Sequence, residues 1–115
     1  MSVSTTVIQD TFRRLGPERQ LEIIYHGALL RLTDLNKRSF LAQSKVHAYE
    51  AQYQTTLAVL DTQGLPDDAS VEMHEDYILW HHWSAVASET QALVDQLRPL
   101  VEQGLPIGAA YHERS

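Results

Sequence analysis

The stretch from Pro17 to Gln63 limits most strongly what this chain can fold into. It contains no proline after Pro17 and a single glycine, Gly27. Proline and glycine are the residues that cost most inside a helix, so their near absence favours long helices. Apolar residues recur at steps of three and four, which makes one side of such a helix apolar; they are Leu21, Ile24, Tyr25, Ala28, Leu32, Leu35, Ala42, Val46, Tyr49, Tyr53, Leu57 and Leu60.

The middle of this stretch allows two interpretations. Polar side chains that compete for backbone hydrogen bonds cluster there; they are Thr33, Asp34, Asn36, Ser39 and Ser44. This clustering predicts two helices, about 17–38 and 43–62, with a break near 39–43. The uninterrupted seven-residue period of the apolar stripe favours instead one helix of about 46 residues.

The helix ends have clearer signals. Pro17 suits the first position of a helix, where its missing N–H is not needed. The segment 63–66, Gln-Gly-Leu-Pro, predicts a Schellman stop in which Gly64 is left-handed and Leu65 contacts Leu60. The same four residues recur at 103–106 and predict a second stop at Gly104.

The second helical stretch is predicted to begin after Ser70, a favourable N-cap, and to run from Val71 to about Gln103. Its apolar stripe includes Met73, Tyr77, Trp80, Trp83, Val86, Ala87, Leu93, Val94, Leu97, Leu100 and Val101. The segment 88–91, Ser-Glu-Thr-Gln, matches a capping box and predicts a break near 87–89. With no strand pattern elsewhere, the chain is predicted to be all-α.

Gly27 is unusual because a glycine inside a helix costs roughly 0.5–1 kcal/mol relative to alanine. Two explanations remain open at this point. With Ala28 beside it, Gly27 allows another backbone to approach closely, or it is a defect that the helix tolerates.

Length and composition predict one domain with an N-terminal arm. The 115 residues include no cysteine and carry a formal charge of −6, with no basic run that would follow a nucleic-acid backbone. The longest apolar runs are too short to span a bilayer, and no signal-peptide pattern is present, so a cytoplasmic protein is expected. The predicted parts are an arm or short helix over 1–15, a helical bundle over 16–106 and a flexible tail over 107–115.

Few residue patterns suggest chemistry. No His-x-x-x-His pair exists, and a metal site would need Glu22, His26 and either His74 or His81 to meet across helices. The acidic pairs Glu18/Glu22 and Glu72/Asp76 are interpreted as solvated surface. Since no nucleophile or phosphate-binding motif occurs, we expect no enzyme activity, no metal and no cofactor. The aromatic residues of both stretches are interpreted as core or as the rim of a peptide groove.

The text from Gly16 to Leu29, Gly-Pro-Glu-Arg-Gln-Leu-Glu-Ile-Ile-Tyr-His-Gly-Ala-Leu, resembles the helix-opening signature of the flagellin export chaperones, the FliS family. That signature reads Ser-Pro-Glu-Lys-Leu, then apolar residues, then Tyr-Asp-Gly-Ala-Ile. A weaker similarity is Asp76-Tyr77-Ile78, which resembles the opening of the family's third helix. His26 replaces the usual aspartate, and the tyrosine usual in the N-terminal arm is missing.

The resemblance implies an antiparallel four-helix bundle that binds the C-terminal segment of flagellin and prevents its premature polymerisation. Such a chaperone has no catalytic residue and no cofactor. The alternatives are a metal- or small-ligand-binding helical bundle and a structural dimer of helical hairpins, and a homodimer remains open in any case. The residues expected to contact the client are Ile8, Phe12, Pro17, Leu21, Tyr25, Gly27, Ala28, Tyr77 and Trp80. The arm, through Ile8, Phe12 and Leu15, is predicted to cover the groove when the client is absent.

Overall fold

The computed structural model describes the backbone of residues 4–114 and the side chains of residues 4–103. Within that range the chain is helical and contains no strand, which confirms the predicted all-α class. Four helices follow one another: α1 (Thr5–Arg14), α2 (Pro17–Tyr53), α3 (Leu57–Gln63) and α4 (Val71–Arg114).

The N-terminal arm forms helix α1, which has no buried residue. Its end is held by Gln20, whose side-chain amide donates to the carbonyl oxygens of Phe12, Arg13 and Leu15 at 3.1, 3.3 and 2.8 Å. The Phe12 carbonyl also accepts from the Leu15 N–H at 3.1 Å, and Gln20 adds a side-chain cap to the end of α1 from the first turns of α2. The sequence analysis did not identify this cap.

Helix α2 begins at Pro17, as predicted, and continues through the proposed break at 39–43. The polar residues there bond within the helix and do not interrupt it. The Thr33 hydroxyl donates to the Leu29 carbonyl, and the buried Ser39 hydroxyl accepts a bond from the Gln43 amide at 3.1 Å. The prediction of two helices with a break at 39–43 is therefore wrong.

The real interruption lies further along, between Tyr53 and Leu57. Gln54 has a left-handed backbone with φ 52°, and the Thr56 side chain then accepts a hydrogen bond from the Val59 N–H, which starts α3. The prediction of one helix to about residue 62 is therefore also wrong at its end. A threonine N-cap was the signal that sequence reasoning missed.

Gly64 ends α3, as predicted, but in a different conformation. Its φ of 79° and ψ of 167° lie outside the left-handed helical region, in a region that essentially only glycine adopts. Its N–H donates to the Leu60 carbonyl at 2.7 Å. The stop is confirmed, whereas the predicted Schellman geometry is not.

Ser70 caps α4 as predicted, because its hydroxyl accepts from the Met73 N–H at 3.0 Å.

Helix α4 is continuous, so the break predicted near 87–89 is wrong. The Thr90 hydroxyl donates to the carbonyl of Val86 at 2.7 Å, and no cap forms at Ser88. The stop predicted at Gly104 is also wrong, because α4 continues to Arg114. A glycine costs about 1 kcal/mol inside a helix, which surrounding turns can tolerate. The predicted Leu105 contact and the flexibility of 107–115 lie outside the described side chains.

The chain divides into two compact units: unit 1 is Met1–Thr33 with Gln96–Ser115, and unit 2 is Asp34–Asp95. In unit 1 the buried apolar residues are Ala28 and Leu32. In unit 2 they are Leu35, Ala42, Leu60, Trp80 and Val94.

Within unit 2, α2 and α4 pack antiparallel. Tyr53 and Tyr49 of α2 both stack on Trp80 of α4, and Lys45, one further step back along α2, lies 6.0 Å from the Trp83 ring, one step forward along α4. Because the contacting residues have decreasing numbers along α2 and increasing numbers along α4, the two helices run in opposite directions.

Candidate functional site

Trp80 is the centre of the aromatic cluster in unit 2. Its ring is fully buried between Tyr49 and Tyr53, at centroid distances of 5.7 and 6.1 Å and interplanar angles of 26° and 18°. Its indole Nε1 has no hydrogen-bond acceptor among the described residues. The cluster is therefore a packed core, which is one of the two interpretations that the sequence allowed.

Asp76 anchors one side of this cluster. The Tyr53 hydroxyl donates to its Oδ2 at 2.5 Å. This hydrogen bond raises the pKa of Tyr53 to about 12, with desolvation and the nearby charge of Asp76 adding to the effect. Asp76 was interpreted from the sequence as solvated surface, and this interpretation is wrong because the residue is partly buried and bonded across the helix pair.

Asp61 forms a second polar cluster, which ties α3 to α4. Its carboxylate accepts from the Tyr77 hydroxyl and lies 2.7 Å from His81 Nε2. The bond from Tyr77 is the main cause that lowers the pKa of Asp61, and His81 acts in the same direction. The same bond raises the pKa of the Tyr77 hydroxyl.

This cluster combines a carboxylate, an imidazole and a phenol on an exposed surface. Both donors already bond the same carboxylate oxygen, Oδ1 of Asp61. A charge-assisted bond of this kind joins two elements firmly. We therefore interpret the cluster as a tie that holds α3, which is only seven residues long, against α4.

The partner-binding residues predicted in unit 1 differ in accessibility. Ile8, Pro17, Leu21 and Gly27 are exposed, Phe12 and Tyr25 are half-buried, and Ala28 is buried. Ala28 is thus unavailable to a partner in this conformation. Gly27 was predicted as a point of close backbone approach or as a tolerated defect. A Cβ added there would meet no atom within 4 Å, so close approach is wrong within this chain.

The two partner-binding residues predicted in unit 2 are Tyr77 and Trp80. Tyr77 is half-buried and engaged with Asp61, whereas Trp80 is fully buried and supports the core. Trp80 therefore presents no surface to a client, whereas a role of Tyr77 in partner binding stays a prediction. The sequence predicted that these aromatic residues matter for the bundle but did not separate core from surface.

Helix α1 presents an apolar face. Val7 and Ile8 are exposed, and with Thr11, Phe12 and Leu15 they line an open concavity of about 370 Å³. The sequence analysis had recognised the apolar spacing of Ile8, Phe12 and Leu15. Whether α1 covers a client groove stays a prediction.

A second apolar face lies on α4 and was missed. Val71, Ile78, Ala85 and Ala92 follow one another at seven-residue steps and are all exposed. The signal was present in the sequence as a regular heptad spacing. It was overlooked because the larger residues of the core stripe dominate the same helix.

No group of three His, Asp or Glu side chains is placed to hold a metal ion among the side chains that the structure describes. In the same range, no helix has the length and apolarity needed to cross a membrane.

Comparison of the chain with protein-family models, with curated proteins and with solved structures finds no match.

Proposed function

We propose that this chain is a secretion chaperone that holds an amphipathic helical segment of an exported, flagellin-like client and keeps it from polymerising. The observation that carries the proposal is the exposure of large apolar side chains. Leu30 and Phe40 are each 74 % exposed, Val71 is 75 % exposed and Ile78 is 68 % exposed. Exposed apolar side chains of this size favour docking of an amphipathic helix, which buries its own apolar face in the process.

The antiparallel four-helix bundle belongs to the same proposal. In unit 2 the long helices α2 and α4 supply two antiparallel helices whose outer faces retain apolar residues. We propose that helices of the client complete the bundle. This arrangement needs no catalytic residue and no cofactor, and it suits a cytoplasmic protein that acts before export.

The test is calorimetric titration with the C-terminal helical segment of flagellin from the same cell. We expect saturable binding, together with a rise in helical circular dichroism as the segment folds on the protein. The control is the same segment with its apolar positions replaced by serine, which should not bind. Absence of binding at about 100 μM, roughly −5.5 kcal/mol, would overturn the assignment to that client.

A polymerisation assay provides an independent readout. Flagellin monomers mixed with the protein should scatter less light over time than flagellin alone. An equal amount of an unrelated acidic helical protein is the control for charge and crowding. Equal rates with both proteins would contradict a chaperone role.

A further inference from the structure

The exposed face of α4 forms a stripe along one side of the helix, defined by Val71, Ile78, Ala85 and Ala92. Seven residues advance a helix by almost two full turns, so these four side chains lie in line with only a slow drift. The buried residues Trp80 and Val94 lie on the opposite side. The α4 stripe is therefore a surface that the core of unit 2 does not use.

The charge around the α4 stripe has one sign. No lysine or arginine occurs between Lys45 and Arg98, while nine aspartates and glutamates do. Glu75 and Glu89 follow the stripe on the same side of α4 and are exposed. The other edge of the stripe carries His74 and His81, and His81 lies 2.7 Å from the Asp61 carboxylate. A helix that docks here meets an apolar line with two exposed glutamates, Glu75 and Glu89, along one edge.

We infer that the α4 stripe binds a client helix whose apolar face is bordered by lysine or arginine. The inference rests on the proposed function and specifies the class of client segment. The apolar line supplies contact area, and the edge formed by Glu75 and Glu89 favours a basic flank on the client helix and disfavours an acidic one. The alanines at positions 85 and 92 allow such a helix to approach closely at one end of the stripe.

The same charges argue against a second copy as the occupant. Two α4 stripes facing each other would bring Glu75 and Glu89 of both copies together, with no lysine or arginine between Lys45 and Arg98 to compensate. Like charges at an interface oppose association. A basic amphipathic segment has no such penalty.

The experiment uses the full chain and two designed helical peptides of about 20 residues with leucine at a and d positions. One peptide carries lysine at the flanking positions, and the other carries glutamate. We expect the lysine peptide to bind about tenfold more tightly at low salt, with the difference shrinking as salt screens the charges. The flagellin segment is titrated in parallel.

Variants locate the site. Ile78→Ser should weaken the lysine peptide about tenfold, because it removes exposed apolar surface without touching the core. Ile23→Ser is the matched control, since Ile23 is an exposed isoleucine on α2 outside the stripe, and it should change the affinity by less than about twofold. Circular dichroism checks that both variants fold, and Ile78→Ala provides a second, more conservative test.

Two double variants test the contribution of the acidic side chains beside the stripe. Glu75→Gln with Glu89→Gln should weaken the lysine peptide about fivefold and reduce its salt dependence. The control is the double variant Asp67→Asn with Asp68→Asn, which removes the same number of negative charges from the turn before α4. It should change the affinity for the lysine peptide by less than about twofold.

The outcomes separate the two proposals. Equal affinity for both peptides, or unaltered affinity in Ile78→Ser, overturns the assignment to the α4 stripe even if the flagellin segment binds. Failure of the flagellin segment with the expected peptide and variant results overturns that client but supports the stripe. If the free protein is a dimer and Ile78→Ser dissociates it, the stripe binds a second copy of the chain and the inference is overturned.

Discussion

At the scale of single residues, Trp80 is the centre of the packed core of unit 2. Two tyrosines of α2 stack on its ring, and its whole surface is buried. Aromatic pairs of this kind contribute about 0.5–1.5 kcal/mol each beyond the burial of apolar area. The neighbouring Ile78, on the same helix, is mostly exposed. A fully buried core residue and an exposed apolar residue therefore lie within one turn of each other on α4.

We expect Trp80→Ala to lower the free energy of unfolding by about 3–5 kcal/mol, because it leaves a large cavity between the two tyrosines. Urea unfolding followed by circular dichroism measures the change. Ile78→Ala is the control and should alter stability by no more than about 0.5 kcal/mol. Similar losses in both variants would contradict the placement of Trp80 in the core.

The Tyr53 hydroxyl gives a pH-dependent prediction. Its folded pKa of about 12 is above the value of about 10 in an unfolded chain. A raised pKa means that its contribution to stability is complete below pH 10 and is lost as the pH rises through 12. We expect Tyr53 and Tyr77 both to ionise late in ultraviolet titration, and Asp76→Ala to move only the Tyr53 ionisation toward pH 10. An unchanged titration in Asp76→Ala would exclude the Tyr53–Asp76 bond as the cause.

At the scale of elements, the core was more predictable from sequence than the helix boundaries. Every buried apolar residue, from Ala28 to Val94, lies on a stripe that the spacing identified. The predicted breaks near Ser39 and Ser88 are wrong, because polar side chains bond to neighbours within an already continuous helix. Packing along a whole face outweighs such local competition.

The exposed surface was less predictable for a related reason. Spacing shows that a side chain is on a face, but only packing shows which face is covered. Trp80 and Ala28 were expected to meet a partner and are instead buried, whereas the α4 stripe was overlooked. The caps by Gln20 and Thr56 also depend on how consecutive helices meet, which one stretch of sequence does not show.

The glycines of α2 and α3 provide the test at this scale. Gly27→Ala should stabilise the protein by about 0.5–1 kcal/mol, because the helix gains a better residue and the added Cβ meets no atom within 4 Å. Gly64→Val should destabilise it by about 1–3 kcal/mol, because Gly64 has a φ of 79° that a β-branched residue resists. Chemical denaturation compares both with the parent chain. A loss of stability in Gly27→Ala would indicate a close approach that this chain alone does not form.

At the scale of the whole molecule, charge is distributed unequally between the two units. Unit 2 contains ten aspartates and glutamates against three lysines and arginines, a net charge of −7. Unit 1 contains five acidic and six basic residues, a net charge of +1. The formal charge of −6 thus resides in unit 2. Self-repulsion within a compact unit opposes its folding, and dissolved salt screens it.

We therefore expect the protein to become more stable when sodium chloride increases from 0.02 to 0.5 M. The free energy of unfolding, measured by urea denaturation, should rise by about 0.5–1 kcal/mol. Asp67→Asn with Asp68→Asn, in the exposed turn before α4, should raise the low-salt stability and reduce the salt effect, since it removes two negative charges from unit 2. Glu18→Gln is the control in unit 1, where it removes a favourable charge from the first turn of α2 and should give no gain. An equal salt effect in the parent chain and in the double variant would show that screening of unit 2 is not its cause.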